Sequence, residues 1–396
     1  MTDHSNPLDT SGKPTEIVVK TLSGLEPVLA DEMAALGADE IQPARRAVTC
    51  RGNQRVLYTL SLRSRCATRL LVPVHRARVF DSDQLYDQVG QIDWSRLLTP
   101  GQTFAIDATI ASSRLTHSQF VVQKTKDAIV DQLRNGFGRR PSVDREHPDV
   151  RINIHLVQNQ MTLSMDASGE PLSRRGYRTE AGATPLNEVL AAGIIKLSDW
   201  DRQSPFVDGM CGSGTITIEA AMMAMNLAPG LNRDFCFMNW PDYDETMWKQ
   251  LTEDARNRIQ TEGLPEIIGS DINGEVLDQA RSNARRAGVA KSVRFIDSAF
   301  ENLDPPTEAG TVVMNPPYGE RLETKDIEST YTGIGDTLKQ RYTNWSAWIL
   351  TGNLEAAKRI GLRPSQRIKL FNPPLECRLL KFEMYRGSRK QRERPE

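Results

Sequence analysis

The stretch Asp208-Gly209-Met210-Cys211-Gly212-Ser213-Gly214 constrains this chain more than any other part of it. It follows Pro205-Phe206-Val207, which reads as a short buried strand, and it leads into a helical run. Gly209, Gly212 and Gly214 permit a tight turn and a close approach of backbone to a ligand. A glycine turn between strand and helix lies at the carboxyl end of a strand in an open α/β sheet, where ligands bind. The spacing is not G-x-G-x-x-G, and the acidic start would repel a dinucleotide pyrophosphate while suiting a cationic ligand.

The rest of this half keeps the rhythm that such a sheet requires. A helix over 187–197 precedes the first strand, and apolar strands at 266–270, 293–296, 311–314, 346–351 and 379–385 alternate with helices. The class is α/β, a doubly wound, mostly parallel sheet. The second strand ends at Asp271, where a carboxylate can accept hydrogen bonds from both hydroxyls of a ribose. Asp271 stands 63 residues after Asp208, and an aromatic-rich insertion at 233–254, with Trp240 and Trp248, accounts for the excess. The third strand ends at Asp297, placed to receive an adenine amino group. Ile272 and Ser298, next in the chain to these acids, complete the candidate set. Each acid alone could be a helix cap, but acids at three successive strand ends point to one shared site.

The fourth strand, Val312-Val313-Met314, runs into Asn315-Pro316-Pro317-Tyr318. Two prolines remove two backbone donors and fix two φ angles. The Asn315 side-chain oxygen and the Pro316 carbonyl can then point at one exocyclic amine, and Tyr318 can stack on an extruded base. Accepting two N–H bonds localises the amine lone pair, so positioning and electrostatics carry the rate and no strong general base is needed. The competing explanation is a proline-rich turn with a tyrosine as core filler. It loses ground beside the acid-ended strands.

The N-terminal half has a different character. Residues 1–14 are polar and read as disordered. Strands at 17–21, 47–50 and 69–74 alternate with helices at 25–36 and 54–62, an α+β module of ferredoxin-like type. A half-buried strand at 104–110, an amphipathic helix at 118–137 and a hairpin over 150–166 turning at Gln158-Asn159 follow. The boundaries expected are 1–14, a ferredoxin-like part at 15–75, a second module at 76–168, the sheet domain at 169–386 and a basic tail at 387–396.

Charge and cysteine usage narrow the setting. With a net charge of −1, any nucleic-acid contact must be localised. From Ser112 to Arg140 there are six Lys/Arg against two acids, and Lys124, Lys126, Arg139 and Arg140 are the candidate RNA contacts. A solvated helix face explains the same pattern equally well. Five scattered cysteines without a CxxC pair suit reduced thiols in a cytoplasm rather than a disulfide framework or zinc site. No apolar run is long enough for a bilayer, and the N-terminus lacks a signal-peptide pattern.

Three resemblances follow from these residues. The loop D-G-x-C-G-S-G resembles motif I of class I S-adenosylmethionine-dependent methyltransferases, which have a Rossmann-like fold. Asn315-Pro316-Pro317-Tyr318 resembles the (N/D)PP(Y/F) motif of enzymes that methylate amino groups of adenine, guanine or glutamine. Residues 60–166 resemble the THUMP domain, an RNA-binding module of RNA-modifying enzymes. Arg175-Gly176-Tyr177-Arg178, Pro185 to Ala192, Ala228-Pro229-Gly230-Leu231 and Asn315 to Leu322 are similar to the bacterial 23S ribosomal RNA guanine-N2 methyltransferases. The resemblance implies S-adenosylmethionine as cofactor, RNA as partner (large-subunit ribosomal RNA or its assembling particle), and a segment at 178–188 closing over the cofactor. Thr184, Pro185 and Asn187 are the candidates there, and Arg321 is a candidate phosphate contact that could equally cap a helix or pair with Glu323. Some members carry a second, C-terminal methyltransferase domain. This chain stops before any such region, so a single modification is expected.

The alternatives are transfer RNA as substrate, adenine-N6 methylation, and an RNA-binding or assembly protein with a vestigial cofactor site. A nicotinamide oxidoreductase shares the broad fold, but nothing supplies a hydride-transfer acid/base beside a proper G-x-G-x-x-G.

Overall fold

Two sheets organise the residues that this computed structural model describes, which are 14–178, 186–317, 324–372 and 375–385. They belong to two compact units. The first holds residues up to Thr21, Leu29–Leu172 and Asn232–Asp254; the second holds Leu22–Val28, Ser173–Leu231 and the chain from Ala255.

The first unit runs β1 (Thr15–Lys20), α1 (Glu26–Ala35), β2 (Asp39–Ala44), β3 (Ala47–Gly52), α2 (Gln54–Arg63), β4 (Arg69–Arg78), α3 (Ser82–Gly90), β5 (Thr103–Ala111), α4 (Ser118–Phe137), β6 (Ser142–Val143), β7 (Val150–Val157) and β8 (Gln160–Asp166). Local chemistry sets many of these limits. Asn53 caps α2 by accepting from Val56 N–H, Asp81 caps α3 by accepting from Asp83 and Gln84 N–H, and α4 stops at Gly138 in the left-handed region. Gln158 and Asn159 both take positive φ, the two-residue turn that the β7–β8 hairpin demands.

All eight strands join one sheet, in the order β2-β3-β1-β4-β8-β7-β5-β6. The long strand β4 pairs with β1 near its start and with β8 over most of its length. The sequence boundary at 75/76 therefore falls inside a strand. The alternation read from the sequence also passed over β2, whose residues DEIQPA carry two acids and a proline and are nearly all exposed. That is the make-up of an edge strand, which period-two patterning does not reveal.

The aromatic insertion interrupts the sheet domain in the sequence, yet 232–254 packs with the first unit. Tyr58 on α2 stacks on Phe237 at 4.5 Å between ring centroids, and Trp248 meets Phe237 edge-on at 5.2 Å. Rings of this size need an apolar partner, and α2 provides it.

The second unit contains β9 (Phe206–Asp208), β10 (Ile267–Asp271), β11 (Arg294–Asp297), β12 (Thr311–Met314), β13 (Ser346–Thr351), β14 (Gln366–Asn372) and β15 (Leu375–Glu383). Its helices are α5 (Glu188–Leu197), α6 (Thr215–Ala224), the end of α7 (Glu245–Asn257), α8 (Gly274–Arg286), α9 (Thr324–Arg341) and α10 (Leu354–Ala357). The order is β11-β10-β9-β12-β13-β15-β14, parallel except for the pairs that β15 makes with β13 and β14. The sequence reading lacked β14, an edge strand with polar residues at both ends and only Leu370 buried. Every residue of α6 is buried, as expected for a helix apolar all round. The chain leaves β9 toward β10 on one side and returns to β12 on the other, which puts the switch point at the carboxyl ends of β9 and β12. Among the described residues no helix is long and apolar enough to cross a membrane.

Candidate cofactor and amine-binding site

The loop after β9 turns through two left-handed glycines, Gly212 (φ 52°) and Gly214 (φ 84°). A Cβ on Gly214 would stand 3.0 Å from Ala280 Cβ, so this glycine lets α8 pack close. A Cβ on Gly212 would meet only Val276, at 4.0 Å, so its free side is the ligand side. Cys211 N–H donates to the Ser270 carbonyl at 2.9 Å and Gly212 N–H donates to Asp271 Oδ2 at 2.9 Å, tying the loop to the end of β10.

A cavity of about 640 Å³ opens here, and Cys211, Gly212, Ser213, Asp271, Asn315 and Pro317 share its wall. These six come from three strand ends. A second cavity of about 690 Å³ lies at the other ends of β10 and β11, beside Glu266 and Arg294. The first is the candidate site, because ligands of open α/β sheets bind beyond the carboxyl ends of strands.

Asn315 carries the sharpest signal. Its Oδ1 is buried and has no hydrogen-bond partner among the described residues. A buried carbonyl oxygen left without a donor costs ~1–3 kcal/mol, and a donor arriving with a ligand removes that cost. Pro316 is buried and Pro317 exposed.

The other candidates lie around the cavity rather than in its wall. Asp208 is fully buried; Thr217 Oγ1 donates to its Oδ2 at 2.9 Å, while Oδ1 has no partner among the described residues. Burial pushes its carboxyl up to about 7, against the hydrogen bonds from Thr217. Asp297 faces Asp271 in register and is exposed, Ile272 is 76% exposed, and Ser298 N–H donates to the Asp271 carbonyl at 3.1 Å. A Cβ on Gly209 would fall 2.5 Å from the Phe300 ring, so close packing accounts for that glycine. The Asn187 side chain caps α5, accepting from Val189 N–H at 2.9 Å and Leu190 N–H at 3.4 Å. Tyr318, Arg321, Thr184, Pro185 and the basic tail lie outside the described residues.

Of the candidate RNA contacts, Lys124 pairs with Asp83 at 3.6 Å and lies over the Tyr86 ring, and Lys126 pairs with Asp127 at 3.0 Å. Arg139 and Arg140, past the end of α4, are exposed and unpaired among the described residues. All five cysteines are buried, and none forms a disulfide.

Sequence reasoning missed Arg286 and had Arg178 only as the first residue of a segment expected to close over the cofactor, not as a candidate contact; these are the two cations of the cavity wall among the described residues. Arg286 Nε donates to the Tyr177 carbonyl at 2.7 Å, and Arg178 forms an ion pair with Glu188 at 3.3 Å. The basic stretch 174–178 was a signal, but not for where its side chains go.

The strand order, the glycine loop after the first strand and the Asn-Pro-Pro leaving the fourth are the arrangement of the Rossmann-like methyltransferase class. The comparisons agree. Residues 175–381 match the RMKL-like methyltransferase domain, 80–166 the THUMP domain and 16–71 the RlmL ferredoxin-like domain, and the chain belongs to this family of RMKL-like methyltransferases. It is 41% identical over 383 residues to the ribosomal RNA large subunit methyltransferase K/L of Syntrophotalea carbinolica, covering 94% of this chain and 54% of that one. The chain thus spans about half the length of that relative. A Synechocystis protein provisionally named an RNA methyltransferase is 39% identical, over 91% of this chain and 95% of its own. A crystal structure of SMU.472, provisionally described as a methyltransferase and complexed with SAH, superposes with a TM-score of 0.87 at 33% identity, over 95% of this chain and 100% of that one.

Proposed function

We propose that this chain transfers the methyl group of S-adenosylmethionine to the exocyclic N2 amine of a guanosine in RNA, with 23S ribosomal RNA as the substrate. The observation that carries the reading is the buried Asn315 Oδ1, without a partner among the described residues, in the wall of the cavity that the glycine loop also lines. The residues are compatible with the cofactor: Gly212 leaves its side of the loop open, and Asp271, whose oxygens already accept from Gly212 and Asn273 N–H, lines the same cavity, where its carboxylate would meet ribose hydroxyls. When bound, S-adenosylmethionine supplies an electrophilic methyl group on a sulfonium.

Asn315 Oδ1 and the Pro316 carbonyl would accept the two N–H bonds of the amine and turn its lone pair toward the methyl group. Asp271 would hold the ribose and Asp297 the adenine amino group. Asp208, buried beneath the loop, would act without touching ligand. Tyr318 would stack on the base.

RNA fits the THUMP match, and ribosomal RNA fits the name of the Syntrophotalea relative. The partner would be large-subunit RNA or its assembling particle, and the setting the cytoplasm, where free thiols persist. The test is methyl transfer from labelled S-adenosylmethionine to total RNA of a strain lacking this protein, with nucleoside mass analysis. Label in N2-methylguanosine of the large ribosomal RNA, lost with Asn315→Ala, is expected. Label in N6-methyladenosine or in transfer RNA would replace the proposed substrate, and no label on any RNA or particle would sink the enzymatic reading.

A further inference from the structure

The two cations in the cavity wall are not equivalent. Arg286 has each of its nitrogens engaged: Nε with the Tyr177 carbonyl at 2.7 Å, Nη1 with Ser282 Oγ at 3.0 Å and Nη2 with Asn283 Oδ1 at 2.7 Å. Arg178 directs one nitrogen, Nη2, at three acceptors: Thr215 Oγ1 at 2.8 Å, the Leu186 carbonyl at 3.3 Å and Glu188 Oε1 at 3.3 Å. Its Nε is buried and has no hydrogen-bond partner among the described residues. A guanidinium carries five donors in a planar fork that matches a carboxylate. Here part of that fork stands idle in the wall of a cavity.

Arg178 is also held in place. Arg175 Nε pairs with Glu219 Oε1 at 3.4 Å, with side chains 2% and 0% exposed, and Tyr177 OH donates to the same oxygen at 3.3 Å. Glu219 lies one turn beyond Thr215 on α6, so these bonds pin 175–178 along the first turns of that helix. Arg178 is thereby set beside the helix N-terminus, where unsatisfied N–H groups favour an anion. Its partner Glu188 is a weakened counterion, because burial pushes that carboxyl up while Arg178 pulls it back.

We infer that Arg178 binds the carboxylate of the cofactor's amino-acid end and makes the cavity selective for ligands that carry one. The inference rests on the S-adenosylmethionine reading. That cofactor ends in an ammonium and a carboxylate, and the carboxylate needs a cation with donors to spare. The acids Asp271 and Glu275 in the wall cannot serve it, and Arg286 is already engaged. Arg178, with the first turn of α6, answers the requirement.

The test is calorimetric binding of S-adenosylhomocysteine and of its primary amide, which lacks only the carboxylate charge, to the full chain without RNA. Wild type should bind the amide about tenfold to hundredfold more weakly than the acid, the scale of a charge-assisted hydrogen bond. Arg178→Gln should weaken the acid by a similar factor and the amide by less than about twofold, while Arg178→Lys recovers part of the loss. Equal affinity of wild type for acid and amide, which needs no variant to fold, would overturn the assignment. So would equal weakening of both ligands by Arg178→Gln. A wild type that binds neither ligand would sink the cofactor reading and this inference with it, whereas a wild type that binds both alike would sink the inference alone.

Discussion

Around the cavity of the second unit, polar atoms are buried and left waiting: Asn315 Oδ1, Asp208 Oδ1 and Arg178 Nε have no partner among the described residues. The charged side chains of α4 in the first unit are arranged differently, although the buried Thr125 Oγ1 of that helix also has no partner among the described residues. Lys124, Lys126 and Arg134 lie at the surface and are closed into pairs with Asp83, Asp127 and Asp131. The energetic scales differ accordingly. A buried polar atom without a partner costs ~1–3 kcal/mol, whereas exposed pairs contribute ~0–1 kcal/mol and exchange partners readily. A cost of the first kind also falls on Thr125 Oγ1, Arg151 Nε and Trp240 Nε1 of the first unit, which have no partner among the described residues, so it informs only where such atoms gather at one cavity. Pairs of the second kind are cheap to make and say little about function. What distinguishes the cavity is that two of these atoms, Asn315 Oδ1 and Arg178 Nε, belong to residues of one wall, whereas the charged face of α4 is a solvated surface ending in two arginines that are unpaired among the described residues.

The largest effect should come from removing the most exposed member of that contrast to chemistry. Asn315→Ala should lower single-turnover methyl transfer by about 10²–10³-fold, the range for losing one preorganised polar group at a reacting centre. Binding of S-adenosylhomocysteine should stay within about twofold. A parallel loss of both would mean that Asn315 supports the cavity rather than the amine, and the contrast would fail at its strongest point.

Asp208 comes next, and the sign of its effect is opposite to that of a paired surface acid. Its carboxyl is held up to about 7, from 3.8, by burial. Below about pH 4 both folded and unfolded chains carry the proton, and the group contributes nothing. Between there and about 7 the unfolded chain loses its proton first, so stability falls as pH rises, and above 7 the loss is complete. Asp208→Asn keeps an acceptor for Thr217 and removes this titration. The variant should gain on the order of a few kcal/mol relative to wild type between pH 5 and pH 8. Melting curves of the two proteins across that range check it; a difference independent of pH would show that Asp208 titrates normally.

How much of this was legible in the chain depended on whether the physics was local. Asp208, Asp271 and Asn315 terminate short apolar runs, and one rule about strand ends brings Asp271 and Asn315 to the same cavity wall. Asn187 obeyed an equally local rule that was passed over, since an asparagine before Glu-Val-Leu is a helix cap. Arg178 was legible only as the start of a segment expected over the cofactor; its own role was not, because its placement depends on Glu219 and Thr215, some forty residues on, and on how 175–178 lies along α6. The strand β2 escaped because an exposed edge carries no alternating pattern, and β14 because its apolar residues are few and run together at Leu370-Phe371. The insertion at 232–254 could be seen as aromatic, but its packing on Tyr58 is a tertiary fact.

The smallest effects should lie at the surface, and they sharpen the comparison by dividing the basic stretch in two. Arg139 and Arg140 are free to meet phosphates, while Lys124 and Lys126 must first leave Asp83 and Asp127. Each phosphate contact releases counterions, so log K falls against log salt with a slope of ~0.7–0.9 per contact. Replacing Arg139 and Arg140 with alanine should weaken RNA binding about tenfold at moderate salt and reduce that slope by up to ~1.4–1.8. The Lys124→Ala, Lys126→Ala pair should weaken binding by about twofold, because part of each charge is already neutralised by its partner. Neither pair should alter binding of S-adenosylhomocysteine, since none of the four residues lies in the cavity wall. Salt titrations of all three proteins on one RNA measure the difference directly. If the lysine pair matched the arginine pair in slope, the ion pairs along α4 would be opening in the complex, and the charges that look closed would be as available as those that look free.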